Sequence, residues 1–145
     1  MSTEENKTVS RRFHEAFDKG NQGPQALDEE LAPTFVAHFP GVPGPLDREG
    51  FRQLGNVFTS AFPQSQTTIE DEIAEGDKVV SRWIYRAVHR GEFQGIPPTG
   101  KQVTMTGLTF LRIVGGKIVE HWVELDQLGL LQQLGVVPPA QETGA

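Results

Sequence analysis

The chain has 145 residues, of which 37% are hydrophobic and 22% are charged, and its formal net charge is −6. These values suit an ordinary globular protein with one hydrophobic core, and the negative charge argues against nucleic acid as a partner, since a phosphate backbone attracts clustered Lys and Arg. The absence of cysteine excludes disulfides, thiolate nucleophiles and Cys-ligated metal sites.

The chain opens with MSTEENKTVSRR, a charged segment that lacks the apolar core of a secretory signal. No apolar run reaches the length of a membrane span. We therefore expect a cytoplasmic protein without membrane contact. Ser2 and Glu5 have capping-box spacing, and apolar residues follow at helical spacing up to Phe17, which predicts a first helix ending near Lys19.

Two further helices are predicted before the strands begin. Gly20 ends the first helix, and Pro24 lies near the start of a short second one. Asp47 is a plausible N-cap for a third helix, which Pro63 terminates. Between them, TFVAHFPGVPGPL contains so much Gly and Pro that only its first residues are expected to form a strand, with a loop after them.

From residue 66 the hydrophobic period changes from helical to alternating. Four long strands are predicted, in QTTIEDEIAEG, KVVSRWIYRAVHRGEF, KQVTMTGLTFLRIV and KIVEHWVELD, with turns at Gly76-Asp77 and Gly115-Gly116. They should form an antiparallel meander, followed by a short helix in QLGLLQQLG and a loose tail over 136–145. The expected fold is one α+β domain spanning 1–145, in which three N-terminal helices and a curved antiparallel sheet form a cone with an internal pocket.

Several segments resemble a known family. GEFQGIPPTGK, GKIVEHW, LGLLQQLG, RRFHEAFDKG and LAPTFVAHFPG closely resemble the SnoaL-like polyketide cyclases, also called ester cyclases. The resemblance implies the nuclear-transport-factor-2-like fold, a cone with a deep cavity, and a homodimer. It also implies chemistry without metal or cofactor, because the best-known members close a polyketide ring by an intramolecular aldol reaction.

Two positions depart from the pattern of those cyclases. The family pattern has Asp where this chain has Val123, and His where it has Thr109. The resemblance therefore implies the cavity without the two polar groups of the aldol reaction. Two functions are expected: cofactor-free isomerase, cyclase or hydrolase chemistry on a small hydrophobic compound, or binding of such a compound without catalysis.

Strand alternation predicts which side chains face the cavity. If Val123 and Thr109 face inward, His121 does too, while Trp122 and Glu124 point away. The same residues could simply pack the core. The candidate ligand-binding residues are Phe17, His38, Leu54, Trp83, Tyr85, Met105, Thr109 and Val123.

The candidate proton carriers are His121 and Asp126. His121 is the titratable side chain that alternation places in the cavity from the last strand, although a structural hydrogen bond would also explain it. Asp126 could face the pocket mouth or cap the last helix. His38 could overhang the cavity or face solvent. His89 is expected to anchor a loop, and His14 to lie on the solvated side of the first helix.

No metal site or nucleotide site is expected. His121 and Glu124 would point to opposite faces of one strand, which does not suit a shared metal ion. GIPPTGK lacks the glycine pattern of a phosphate-binding loop. Trp122, Arg82 and Arg86 are expected on the outer face of the sheet, where they would suit a contact between two copies of the chain.

Overall fold

The computed structural model describes residues 2–19 and 24–138. Within these residues the chain forms four helices and five strands. The helices are α1 (Thr3–Lys19), α2 (Pro24–Glu30), α3 (Arg48–Ala61) and α4 (Gln127–Gln133); the strands are β1 (Leu31–His38), β2 (Gln66–Glu75), β3 (Lys78–Val88), β4 (Gln102–Val114) and β5 (Lys117–Leu125). The predicted helix stop at Gly20 and residues 139–145 of the predicted tail lie outside the described residues.

The helix starts follow the local sequence. The amide of Glu5 donates to Ser2 Oγ at 3.1 Å and the amide of Ser2 donates to Glu5 Oε1 at 3.2 Å, which closes the predicted capping box. At α3, Asp47 Oδ1 accepts from the amide of Gly50 at 2.8 Å. Both caps satisfy backbone donors that the first turn of a helix leaves without partners.

The sheet has the strand order β1-β5-β4-β3-β2. Strands β2 to β5 form the predicted antiparallel meander. The structure adds a parallel pair to this meander, because β1 joins the edge of β5 in parallel, with Ala37 opposite His121. Such a pair needs a long crossover, here α3 and three strands. Pro33 is accommodated because β1 is an edge strand and its register shifts between Leu31 and Val36.

The core consists of two clusters side by side between the helices and the inner face of the sheet. One cluster centres on Phe13, Phe35 and Phe51, and the other on Phe62 and Trp83. The half-buried side chains of Phe17 and Leu54 pack against both clusters. The space between the clusters forms the cavity described next.

Candidate functional site

A cavity opens between α1, α3 and the inner faces of β2 to β5. Its volume is about 490 Å³ with the open mouth included, of which about 60 Å³ can hold the centres of water molecules. No carboxylate, ammonium or guanidinium group is among the described residues that line it. The lining residues are Phe13, His14, Phe17, Phe39, Phe51, Phe58, Thr67, Trp83, Tyr85, Met105, Thr109, His121, Val123 and Leu125.

The structure brings many of the predicted site residues together in this cavity. Since β3, β4 and β5 pair in register, their inward side chains meet: Tyr85 lies opposite Met105, and Thr109 opposite Val123. The predicted residues found in the lining are Phe17, Trp83, Tyr85, Met105, Thr109, His121 and Val123.

Three predicted site residues lie away from the lining. Leu54 packs behind it, against both core clusters. Asp126 is exposed and caps α4, since its Oδ1 accepts from the amide of Gly129 at 2.9 Å. His38 does not overhang the cavity, so that expectation is wrong: it is the last residue of β1 and lies on the outer face of the sheet.

His38 is held on that outer face by two neighbours. Its Nε2 lies 2.8 Å from Glu120 Oε2, and its ring stacks on Trp122 with centroids 5.3 Å apart. His89 is fully buried behind the opposite end of the sheet. Its Nδ1 accepts from the amide of Thr99 at 3.2 Å, so it anchors the loop 89–101, as the sequence predicts.

His14 is the main polar group of the cavity that sequence analysis misplaces. The expectation that His14 is solvated is wrong, because only 7% of the residue is exposed. Its Nδ1 lies 2.9 Å from the carbonyl oxygen of Ser10, and its Nε2 lies 3.3 Å from Thr109 Oγ1. Burial lowers the pKa of His14 to about 4, so the ring is neutral at neutral pH. A signal was present, since His14 lies at helical spacing from Phe17.

The hydrogen bonds of His14 continue to β3. Trp83 Nε1 donates to Thr109 Oγ1 at 2.7 Å. Trp83 can reach Thr109 because its ring crosses Gly107, where an added Cβ would lie 2.4 Å from the ring atom Cζ2. Trp83, Thr109 and His14 therefore form one buried hydrogen-bond chain between the sheet and α1.

His121 is the second buried imidazole of the cavity. It is 4% exposed, and its ring lies among Phe13, Phe35 and Phe51, with centroids 5.0–6.3 Å apart. Its Nδ1 has no hydrogen-bond partner among the described residues. Burial, with a smaller contribution from nearby His14, lowers the pKa of His121 to about 3. His121 is therefore also neutral at neutral pH, and one of its polar atoms is unsatisfied.

A further polar group lies where β2 pairs with β3. Thr67 and Tyr85 line the cavity side by side, and the carboxylate of Asp18 lies behind them. Asp18 accepts from the amide and hydroxyl of Thr67 at 2.7 and 2.8 Å and from Ser65 Oγ at 3.0 Å. Burial raises the pKa of Asp18, and these hydrogen bonds oppose the shift. The Tyr85 hydroxyl is buried close to Ser65, without a hydrogen bond of good geometry.

Over residues 2–19 and 24–138, no group of three or more His, Asp or Glu side chains is arranged to hold a metal ion. No helix in the same part of the chain is long and apolar enough to cross a membrane.

Comparisons with known proteins find one matching family model and several similar proteins. Residues 7–134 match the family model described as SnoaL-like polyketide cyclase. The aklanonic acid methyl ester cyclase DauD of Streptomyces sp. (strain C5) is 32% identical over 136 residues, which cover 91% of this chain and 83% of DauD. The crystal structure of IdmH from Streptomyces antibioticus is 36% identical, has a TM-score of 0.79, and matches 90% of this chain and 99% of IdmH. That of AclR from Streptomyces galilaeus is 28% identical, has a TM-score of 0.86, and matches 97% and 91% of the two chains.

Proposed function

Because the chain belongs to the SnoaL-like polyketide cyclase family, we propose that it binds a small, neutral, hydrophobic molecule in the cavity and converts it by cofactor-free acid–base chemistry. The reaction would be an isomerisation, a cyclisation or a hydrolysis. The observation that carries this proposal is a cavity lined by aromatic and aliphatic side chains, with neutral His121 among them.

The described residues of the lining carry no formal charge, which selects for neutral ligands. A carboxylate entering this cavity would lose its hydration and meet no cation among these residues, which costs several kcal/mol. DauD is named for a methyl ester, a compound class in which the carboxyl charge is masked. A neutral ester or ketone with an apolar body therefore fits the proposal better than a free acid.

His121 is proposed as the proton carrier. A neutral imidazole can remove a proton from a carbon beside a carbonyl and return it to the oxygen of the product. Its low pKa makes the imidazolium a strong acid and the neutral ring a weak base, so removal of the proton would be the slow step and its return the fast one. The imidazolium would form only while the anion of the ligand is next to it. Val123 and Thr109 supply no carboxyl or imidazole of their own, so the proposal does not rest on the aldol site of other family members.

The test compares two histidine variants on neutral methyl esters of aromatic polyketides. His121→Ala should lower turnover about 100-fold or more, since a positioned proton carrier contributes at least that much. His38→Ala, which removes a histidine from the outer face of the sheet, is the matched control and should keep wild-type turnover. Turnover is followed by mass spectrometry with chromatographic separation of isomers. Equal turnover by wild type and His121→Ala would refute the role of His121.

A non-catalytic binding protein is the second candidate function. It is favoured by the lining, in which none of the described residues carries a carboxyl group. Under this alternative, the same esters would quench the fluorescence of Trp83, which lines the cavity, and would be recovered unchanged. Detection of a converted product would exclude it, and the absence of binding would refute both candidates.

The outer face of the sheet is proposed to pair with a second copy of the chain. Leu108 and Phe110 are 47% and 36% exposed there, and Trp122 packs against Phe110 with ring centroids 5.3 Å apart. Exposed apolar clusters of this kind mark contact surfaces. Sedimentation velocity should give a dimer at micromolar concentration and a monomer for Phe110→Lys. A monomeric wild type at these concentrations would refute the pairing.

A further inference from the structure

We propose that the ligand of this cavity carries a hydroxyl group that donates a hydrogen bond to Thr109 Oγ1, an inference that rests on the proposed function and narrows its ligand class. Trp83, Thr109 and His14 are joined by hydrogen bonds, and each of these bonds has one possible direction. These directions decide whether the wall of the cavity offers a proton or a lone pair to the ligand.

At α1, the Ser10 carbonyl oxygen fixes the direction of the hydrogen bonds made by His14. The carbonyl oxygen of Ser10 can only accept, so His14 Nδ1, at 2.9 Å, must carry the proton. The opposite tautomer would place two lone pairs against each other. Because His14 is neutral, its Nε2 then has a lone pair and no proton. Thr109 Oγ1, at 3.3 Å, must therefore donate its proton to His14.

On the sheet, the direction of the hydrogen bond between Trp83 and Thr109 is fixed as well. The indole of Trp83 is a donor only, so it uses one of the two lone pairs of Thr109 Oγ1. Thr109 Oγ1 therefore donates its proton to His14 and accepts from Trp83 with one lone pair. One lone pair remains, on a side chain that lines the cavity. A ligand hydroxyl can donate to it, whereas a carbonyl would meet a second acceptor.

The neighbourhood of Thr109 independently calls for a polar ligand atom. Thr109 lies opposite Val123 in the β4–β5 ladder, so His121 is its diagonal neighbour on the same face, roughly 7–8 Å away. Among the described residues, the Nδ1 atom of His121 has no hydrogen-bond partner. Buried polar atoms are rarely left unpaired in folded proteins, so the corner of the cavity beside Thr109 favours a polar ligand atom.

The first experiment uses two probes of nearly equal shape, 2-naphthol and 2-methylnaphthalene, in which a hydroxyl replaces a methyl group. Affinities are measured by fluorescence for the wild type and for Thr109→Val, which keeps the shape of the side chain and removes its oxygen. Loss of one hydrogen bond should weaken 2-naphthol about 3- to 10-fold. The affinity for 2-methylnaphthalene should change by less than about 2-fold, because that probe makes no hydrogen bond.

The outcomes separate this inference from the proposed function. If both probes bind and Thr109→Val changes their affinities equally, the cavity binds hydrophobic molecules but does not select a hydroxyl, and only the inference is overturned. If neither probe binds the wild type, the proposed function fails, and the inference fails with it.

A second variant tests the direction of the hydrogen bond between Thr109 and His14. His14→Phe removes the acceptor of the Thr109 proton, so Thr109 becomes free to donate into the cavity. The affinity for 2-naphthaldehyde, whose carbonyl accepts, should rise about 3-fold or more relative to that for 2-naphthol. An unchanged ratio of the two affinities would overturn the assigned direction. If His14→Phe does not fold, His14→Leu makes the same test. The hydrogen bond from Trp83 to Thr109 is monitored separately, by the indole N–H resonance of Trp83 in wild type and Thr109→Val.

Discussion

Acidification from pH 7 to pH 5 should destabilise the fold mainly through His14 and His121. In the unfolded chain both rings take up a proton near pH 6.5. In the folded chain burial lowers their pKa values to about 4 and about 3. The unfolded state therefore binds more protons between pH 6.5 and pH 4, and the free energy of unfolding falls as the pH falls.

The magnitude follows from these values. Each histidine costs the fold about 1.4 kcal/mol per pH unit in this window, which amounts to about 2 kcal/mol between pH 7 and pH 5. The two rings together should cost about 4 kcal/mol, a large part of the 5–15 kcal/mol that is typical of a domain.

The assay is urea denaturation followed by circular dichroism at pH 7, 6 and 5, at one protein concentration. The double variant His14→Phe/His121→Phe should lose about 4 kcal/mol less than the wild type over this range, and for His121→Phe alone the difference should be about half as large. If the wild type and the double variant lose stability equally, the two rings are not buried in neutral form, and the arguments built on their burial fail.

Three further substitutions test single contacts. Gly107→Ala should cost about 1–3 kcal/mol and shift the Trp83 indole resonance, because the new Cβ would lie 2.4 Å from the ring; an unshifted resonance would contradict this packing. Asp47→Ala should cost about 1 kcal/mol in urea denaturation through the lost cap of α3, whereas Asp47→Asn, which can still cap, should cost less; equal losses would argue against the cap. Tyr85→Phe should change stability by less than about 0.5 kcal/mol, because it removes a buried hydroxyl that lacks a good hydrogen bond; a loss above 1 kcal/mol would reveal a strong partner.

The strands could be predicted because their information is local. Period-two alternation and the Gly76-Asp77 and Gly115-Gly116 turns define the meander, and register then follows from the turns. Alternation alone therefore places Thr109 and Val123 on one face, as the ladder shows. The parallel position of β1 could not be predicted in this way, because it depends on a partner more than 80 residues away.

Two histidines lie on a different face from the one predicted, for different reasons. The Gly- and Pro-rich segment predicts a loop at His38, but His38 ends β1, and its neighbour Ala37 pairs with His121 on the inner face. Alternation then turns His38 outward. His14 is expected on the solvated, polar side of the first helix, but it is buried. Its burial depends on two partners that the sequence does not bring together, the Ser10 carbonyl one turn away and Thr109 on β4.

The same burial explains both the acid sensitivity and the ligand preference of this cavity. Keeping His14 neutral forces Thr109 to donate to it, and so leaves a lone pair for a ligand hydroxyl. Protonating His14 would reverse the bond, because Nε2 would then donate to Thr109. A ligand that donates to Thr109 therefore favours neutral His14, and by linkage its binding should weaken as the pH falls toward 4. Recognition of the ligand and stability of the fold thus depend on the same imidazole.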